Sequence, residues 1–161
     1  MKLRTLSKRE ANSLVEEIRR RLKIQIKKPK IVKILEIDDN HEIIAIDENR
    51  FVKVNHTYAP FLAEQSFMEK FPFLVVDKGA IPYVCNGANV MRPGIVEFPI
   101  EFKEDDIVMV KEQTYGKYIA VGKAIYDKRK AEMMSKGPIL RNLHYVGDKI
   151  WEAYKEAKRK L

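Results

Sequence analysis

The chain has 161 residues, of which 45% are hydrophobic and 34% charged, a mixture typical of a folded protein with a well-solvated surface rather than of a disordered one. We expect one or two compact domains, which leaves no room for large multidomain chemistry. The formal net charge of +8 favours a polyanionic partner, either nucleic acid or an acidic membrane surface.

Cysteine usage and hydropathy narrow the expected compartment. The single cysteine, Cys85, excludes an intramolecular disulfide and a multi-cysteine zinc site, and it fits a reducing compartment. No apolar run approaches the length of a membrane span, and the N-terminus leads into a charged helix without a signal-peptide core. We therefore expect a cytoplasmic protein whose mature form is the whole chain.

The first predicted element is a helix over residues 8–22. Ser7 is followed three residues later by Glu10, which is the spacing of a capping box, and apolar residues then recur at helical spacing. Three cations crowd the end of this helix: Arg19, Arg20 and Arg21. They complement the negative end of the helix dipole, and we expect them to be secondary RNA contacts at most.

Three segments rich in β-branched residues follow, separated by Asp- and Asn-containing turn sequences: residues 31–37, 42–46 and 51–54. An antiparallel meander is the expected structure. Residues 59–71 are expected to form a helix that covers this sheet. These elements predict an N-terminal α+β module over residues 1–72.

The second half of the chain is mostly β in its pattern, and its strands are expected at residues 73–76, 95–98, 107–111, 118–125 and 140–146. Short helices are expected at residues 80–86 and 128–135, and a terminal helix over residues 149–161. The change of texture at residues 71–73 marks the expected domain boundary.

Four features lie close together at the start of this half. A strand ends in Lys78-Gly79, a short helix follows, Gly87-Ala88-Asn89 breaks that helix, and Val90-Met91 precedes an Arg92-Pro93-Gly94 turn. The glycines would let a backbone approach a ligand closely, and a helix that begins after Gly79 would aim free amides at a phosphate. Taken singly, each glycine is as well explained by a turn in a small barrel.

Together these residues resemble the PUA domain, which is named for pseudouridine synthases and archaeosine transglycosylases. The similarity extends to one family of PUA proteins, the malignant T-cell-amplified sequence and translation machinery-associated proteins with their archaeal relatives. Three features carry it: Asp77-Lys78-Gly79-Ala80-Ile81, the string from Gly87 to Gly94, and Asn142-Leu143-His144-Tyr145 before Asp148 and Trp151.

The resemblance implies an α+β fold in two domains. Residues 1–72 would form an N-terminal antiparallel sheet with flanking helices. Residues 73–161 would form a C-terminal PUA pseudo-β-barrel with short helices, and the terminal helix would belong to it. The abundance of Lys, Glu and Ile with a single Cys also resembles a thermophile's composition. The family resemblance is to an archaeal-type member.

The resemblance further implies an RNA-facing groove, which on this sequence maps to Lys78, Gly79, Ala80, Asn89, Val90, Met91, Arg92, Pro93, Gly94, Lys136, Gly137, Arg141 and Tyr145. The four cations of this set would meet phosphates, and Tyr145 would stack on an unpaired base. Two alternatives stay open, since Arg92 is equally explained as the flank of a turn and Tyr145 as a core residue.

The sequence indicates no catalytic residue, no metal site and no cofactor. His41, His56 and His144 are scattered without metal-ligand spacing, and no nucleotide-binding or nucleophile signature occurs. Asp77 fits a turn or capping residue, and Cys85 in an apolar helix is typical of packing. We therefore expect a protein that is not an enzyme.

Two functions remain. The resemblance implies an RNA-binding protein of translation that works with tRNA or rRNA on the small ribosomal subunit, in initiation, re-initiation or recycling. In eukaryotic relatives the N-terminal module also docks a protein with an initiation-factor-like domain, which implies a protein interface on residues 1–72. The alternative is an accessory that presents tRNA or guide RNA to a separate modifying enzyme. Membrane attachment through the basic helix is disfavoured, because that helix lacks a broad aromatic face.

Overall fold

The computed structural model describes the backbone of all 161 residues and every side chain except those of Gln65 and Ser66. Internal contacts divide the chain into two compact units. We call Met1–Glu64 together with Lys149–Leu161 the N-terminal unit, and Gln65–Asp148 the barrel unit. The sequence analysis grouped residues 149–161 with the second domain, whereas the contacts place this segment in the N-terminal unit. A functional division of the chain after residue 72 stays a prediction.

The N-terminal unit contains a five-stranded antiparallel sheet whose spatial order follows the chain: β1 (Lys2–Thr5), β2 (Val32–Asp38), β3 (His41–Ile46), β4 (Asn49–Val54) and β5 (Thr57–Pro60). The predicted meander is confirmed as β2 to β4, and most of its β-branched side chains are buried in the core. The sequence analysis missed β1, because all four of its residues are exposed and no apolar alternation marks it.

Helix α1 (Lys8–Leu22) has the predicted bounds and the predicted capping box. The Glu10 amide donates to Ser7 Oγ at 3.2 Å, and the Ser7 amide donates to Glu10 Oε1 at 3.0 Å. The helix expected over residues 59–71 is wrong for most of its length. Ala59 pairs with Val52 in the sheet, and only a short helix, α2 (Gln65–Met68), forms after it. Strand pairing therefore overrides the local helical pattern.

The terminal helix α5 (Lys149–Ala157) continues into a 3₁₀ turn, Lys158–Lys160. Its aromatic residues pack on Phe61, with ring centroids at 5.9 Å for Trp151 and 4.7 Å for Tyr154. At its start, Lys149 Nζ donates to the Asp38 carboxylate at 2.9 Å. These contacts explain why α5 belongs to the N-terminal unit.

The barrel unit contains a six-stranded sheet made of β6 (Phe73–Val76), β7 (Val90–Met91), β8 (Ile95–Glu97), β9 (Ile107–Glu112), β10 (Tyr118–Ala124) and β11 (Pro138–Tyr145). The spatial order is β7-β11-β10-β9-β6-β8, and only the β6–β9 pair is parallel. Each predicted strand of this half is present within a few residues of its expected bounds.

The two edge strands of this sheet are consecutive in the chain. Strand β7 is joined to β8 by a three-residue 3₁₀ turn, Arg92–Gly94. Such a short connection brings the two edges together, so the sheet curls into a nearly closed pseudo-barrel. We call the place where the edges meet the seam.

Short helices complete the barrel unit: a 3₁₀ turn, Lys78–Ala80, runs directly into α3 (Ile81–Val84), and α4 (Lys128–Met133) precedes β11. Both helices lie within the expected ranges. Buried residues of several strands, including Leu74, Val110 and Leu140, form one hydrophobic cluster inside the barrel. Over the part of the chain that the structure describes, no helix has the length and apolar character needed to cross a membrane.

Candidate functional site

A cavity of about 310 Å³ opens at the seam of the barrel. We call it the seam cavity. It is lined by residues of the turn after β6, of α3, of β7 and of the β7–β8 turn: Asp77, Gly79, Ala80, Tyr83, Val84, Asn89, Val90, Met91, Pro93 and Gly94. Its size lies at the lower end of the range of small-ligand pockets, roughly 300–1,000 Å³. Most of the lining is apolar or backbone, so the cavity fits a flat, weakly polar group better than an isolated charge.

Asp77 organises one wall of the seam cavity. Its amide donates to the Gly94 carbonyl at 2.9 Å, and its Oδ1 accepts the Ala80 amide at 3.0 Å. A Cβ at position 94 would lie 3.0 Å from Ala80 Cβ, so the two segments approach as closely as glycine allows. The sequence analysis expected the amides at the start of this helix to be free for a phosphate. The Ala80 amide instead donates to the Asp77 carboxylate.

Asn142 holds the opposite end of α3 to the closing strand. Its Nδ2 donates to the carbonyls of Val84 at 3.0 Å and Ala88 at 2.9 Å. Its backbone amide donates to Asn89 Oδ1 at 3.0 Å. One side chain of β11 therefore fixes both the end of α3 and the segment that leads into β7. The sequence analysis quoted Asn142 within a motif but gave it no role.

Of the thirteen residues that the sequence analysis assigned to an RNA groove, seven line the seam cavity: Gly79, Ala80, Asn89, Val90, Met91, Pro93 and Gly94. Lys78 is exposed and lies between two lining residues, Asp77 and Gly79. Five assigned residues lie outside the lining: Arg92, Lys136, Gly137, Arg141 and Tyr145. The cavity therefore brings together the first part of the predicted groove.

Arg92 is engaged within the barrel unit. Its Nη1 donates to the Ile95 carbonyl at 3.2 Å, its Nη2 to the Glu132 carbonyl at 3.4 Å, and the guanidinium lies 5.0 Å from the Phe98 ring centroid. These contacts brace the β7–β8 turn, which is the alternative that the sequence analysis left open for this residue. A phosphate contact by Arg92 stays a prediction.

The remaining predicted residues lie on or beside β11. The Gly137 carbonyl accepts the Arg92 amide at 2.8 Å, and Lys136 before it is exposed. Arg141 is exposed and pairs in register with Lys123 of β10. Tyr145 is half-buried against the hydrophobic cluster, and a Cβ at Gly87, where φ is +96°, would meet its ring at 3.5 Å. Their roles in RNA contact stay predictions.

The sequence analysis missed one lining residue that is well suited to contact a ligand, Tyr83. It is 71% exposed, although it belongs to α3 beside the buried Val84. An exposed aromatic ring next to an apolar cavity is a suitable surface for stacking on a base. The signal in the sequence was its place beside Val84 in a short helix, because successive side chains of a helix point to different sides.

Two further groups in this unit were weighed for chemistry in the sequence. His144 is buried, and its Nδ1 lies 2.8 Å from Asp148 Oδ2, which also accepts the Tyr145 amide at 3.0 Å. Cys85 is half-buried against the hydrophobic cluster, and burial raises the pKa of its thiol. Within the described residues, no group of three or more His, Cys, Asp or Glu side chains is placed to hold a metal ion.

Comparison with known protein families gives an independent view of the barrel. The model of the PUA domain family matches residues 72–146, which include every strand of the barrel unit. The structure of a hypothetical protein of the hyperthermophilic archaeon Pyrococcus horikoshii superposes with a TM-score of 0.76 and 28% sequence identity, over 94% of this chain and 99% of that one. The expected fold class is thereby confirmed.

Three relatives extend the similarity beyond the barrel. An uncharacterized protein of Methanocaldococcus jannaschii is 40% identical over 119 residues, which are 71% of this chain and 72% of that protein. Malignant T-cell-amplified sequence 2 of Homo sapiens is 30% identical over 129 residues, with 74% and 70% covered. Translation machinery-associated protein 20 of Eremothecium gossypii is 28% identical over 128 residues, with 74% and 71% covered. The chain belongs to the family of PUA-domain proteins that includes the malignant T-cell-amplified sequence and translation machinery-associated proteins.

Proposed function

We propose that this chain is a non-catalytic, cytoplasmic RNA-binding protein of translation, and that it holds RNA at the seam cavity. The observation that carries the proposal is the cavity itself, which gathers seven residues of the predicted groove beside the exposed Lys78. The PUA domain and the translation-related names of the relatives support the same function.

The chemistry of the cavity suggests how the RNA is held. An unpaired base or its ribose enters the apolar cavity, and Tyr83 at the rim stacks on a base. Lys78, outside the lining, meets the adjacent phosphate. Asp77 makes the turn itself a poor place for phosphate, because its carboxylate already accepts the Ala80 amide. Because the base contacts need an unpaired base, we expect the protein to recognise a single-stranded end or overhang.

We propose the small ribosomal subunit and its bound tRNA as the place where this RNA is met. A protein with an initiation-factor-like domain is a further partner, through residues 1–72. The alternative, presentation of tRNA or guide RNA to a modifying enzyme, has no feature of the cavity in its favour. Recovery of a modifying enzyme instead of small subunits after affinity purification would support that alternative.

The test is RNA binding by fluorescence anisotropy, with a tRNA acceptor stem that carries a single-stranded 3′ overhang. We expect affinity to fall steeply with salt. Lys78→Glu should weaken binding and make the negative slope of log K against log[salt] shallower by about one, as expected for the loss of one phosphate contact. Lys103→Glu is the matched control, because Lys103 is also exposed and in the barrel unit but does not border the cavity.

Two outcomes would contradict the proposal. Equal affinity of Lys78→Glu and the unsubstituted chain, with the fold intact by circular dichroism, would remove the seam cavity as the RNA site. Co-sedimentation with purified small ribosomal subunits at low salt tests the finer claim. A chain that binds the overhang RNA but never sediments with small subunits would retain the RNA function and lose the ribosomal one.

A further inference from the structure

The net charge of the protein is distributed very unevenly between its two units. The N-terminal unit holds 19 Lys and Arg against 12 Asp and Glu, a net charge of +7, whereas the barrel unit holds 12 against 11, a net charge of +1. Electrostatic attraction supplies most of the sequence-independent affinity for nucleic acid. A barrel unit that is nearly neutral therefore supplies little of it.

Within the N-terminal unit, seven cations come from two segments that lie more than a hundred residues apart in the chain. We call them the basic patch: Lys27, Lys28, Lys30, Lys33, Lys158, Arg159 and Lys160. Lys33 Nζ donates to the Lys160 carbonyl at 3.0 Å, which joins the start of β2 to the terminal 3₁₀ turn. The fold thus concentrates positive charge that the sequence keeps apart.

The loop before β2 is fixed in place by a carboxylate that leaves its lysine side chains available. Asp47 Oδ1 accepts the backbone amides of Lys30 at 3.0 Å and Ile31 at 2.9 Å. Lys27 and Lys28 lie at most three residues earlier, so their Cα atoms are within roughly 11 Å of that of Lys30. Anchoring through the backbone orders the loop without neutralising its ammonium groups.

The side chains of the basic patch are mostly exposed, and Lys33 Nζ is the one of them with a hydrogen bond among the residues that the structure describes. Six of the seven are exposed and Lys33 is half-buried. Among the residues that the structure describes, none of the seven side chains forms an ion pair, while cations elsewhere in the unit, such as Arg50 with Glu64, do. Unpaired, clustered cations are suited to a polyanion, because each can release a counterion on contact with a phosphate.

We infer that the basic patch is a second RNA-contacting surface, which binds the phosphate backbone without reading its sequence. The inference rests on the proposed RNA function and adds to it a surface outside the barrel unit. An RNA backbone suits the patch better than a lipid surface. Ile31 is the one large hydrophobic side chain of its loop that is exposed, and interfacial binding requires a broad apolar face.

The experiment compares two variants with equal changes in net charge. The patch variant carries Lys27→Gln, Lys28→Gln, Lys30→Gln and Lys158→Gln. The control variant carries Lys2→Gln, Lys8→Gln, Arg9→Gln and Lys103→Gln, which are also exposed and without ion pairs within the described residues. Binding of the overhang RNA is measured by anisotropy across a series of KCl concentrations.

We expect the patch variant to lose at least about tenfold in affinity at 0.1 M KCl. The negative slope of log K against log[KCl] should become shallower by about two. The control variant should lose less than about threefold. Preference for the overhang RNA over a blunt duplex should be unchanged in both, because phosphate contacts carry no sequence information. An equal loss in both variants, or none in either, would overturn the inference.

Failure of the inference and failure of the proposed function are distinguishable. If Lys78→Glu weakens binding and the patch variant does not, the basic patch is wrong and the seam cavity stands. If the patch variant weakens binding and Lys78→Glu does not, the seam cavity is wrong and the patch stands. Vesicles of phosphatidylserine and phosphatidylcholine form a last arm, since loss of vesicle binding with unchanged RNA affinity would assign the patch to lipid and overturn the inference.

Discussion

The two units of this protein differ in net charge and in the kind of surface that we propose for RNA contact. The barrel unit is nearly neutral and carries a shaped cavity whose walls are tied together by specific hydrogen bonds. The N-terminal unit carries almost all of the net charge, and six of the seven cations of its basic patch are exposed. Shape and charge are therefore separated. In the function that we propose, one surface sets affinity and salt dependence while the other sets which RNA is held.

Among the substitutions that test this comparison, we expect Asn142→Ala to have the largest effect on stability and RNA binding. The change removes the side-chain donor of the Ala88 carbonyl and one of two donors of the buried Val84 carbonyl, which also accepts the Gly87 amide, and it opens a gap between β11 and the end of α3. We expect a loss of about 2 kcal/mol in the free energy of unfolding, together with weaker binding of overhang RNA. Chemical denaturation followed by circular dichroism and RNA anisotropy measure the two effects.

Asn86→Ala is the control for this prediction. Asn86 is exposed and takes part in α3 through its backbone amide, which donates to the Tyr83 carbonyl. Its side chain should be dispensable for stability. If Asn142→Ala left stability unchanged, or if Asn86→Ala cost as much, the wall of the seam cavity would not depend on the side-chain link from β11.

A smaller effect is expected from Tyr83→Ala, which removes the exposed ring at the cavity rim without removing a buried side chain. We expect RNA affinity to fall about 5- to 30-fold, equivalent to roughly 1–2 kcal/mol of stacking, with an unchanged salt slope. Tyr115→Ala is a closely matched control, because Tyr115 is 80% exposed in the same unit and lies outside the cavity lining. Equal losses in both variants would place stacking elsewhere.

Local signals were sufficient to predict most of the fold. The capping box of Ser7 and Glu10 predicted α1 to the residue, and β-branched runs predicted the central strands. The helix expected over residues 59–71 failed because Ala59 finds a strand partner in Val52, which no local pattern reveals. The place of α5 was missed for the same reason, since its contact with Phe61 joins residues far apart in the chain.

The candidate site was predictable where it is continuous in sequence. The strings around Lys78 and from Asn89 to Gly94 supply most of the cavity lining, and the sequence analysis assigned both. Arg92 shows the limit of such reasoning, because its contact with the Glu132 carbonyl depends on the position of α4. The net charge could be read from composition alone. The sequence could not show that Lys33 and Lys160 lie side by side, because only the fold brings them together.

The smallest expected effect concerns the attachment of α5, which leads into the 3₁₀ turn that holds the terminal part of the basic patch. The Lys149 ammonium, His41 and the Asn40 amide hold the pKa of Asp38 well below its ordinary value of 3.8. A lowered folded-state pKa means that the carboxylate stabilises the fold above about pH 4, and that this contribution disappears as the pH falls below 3.8. Asp38→Asn should therefore lower the free energy of unfolding at pH 7 by less than about 1 kcal/mol, which is the range of exposed ion pairs. Its Tm should fall slightly.

The pH dependence separates this contact from a general loss of charge. The difference in Tm between the unsubstituted chain and Asp38→Asn should shrink as the pH falls from 5 toward 2, because protonation removes the same interaction that the substitution removes. Asp39→Asn is the control, since Asp39 is the exposed neighbour in the same turn. A Tm difference for Asp38→Asn that persists undiminished at low pH would mean that the carboxylate charge does not hold α5 to the sheet. The seam cavity should retain its RNA preference in both variants at neutral pH, since neither residue belongs to the barrel unit.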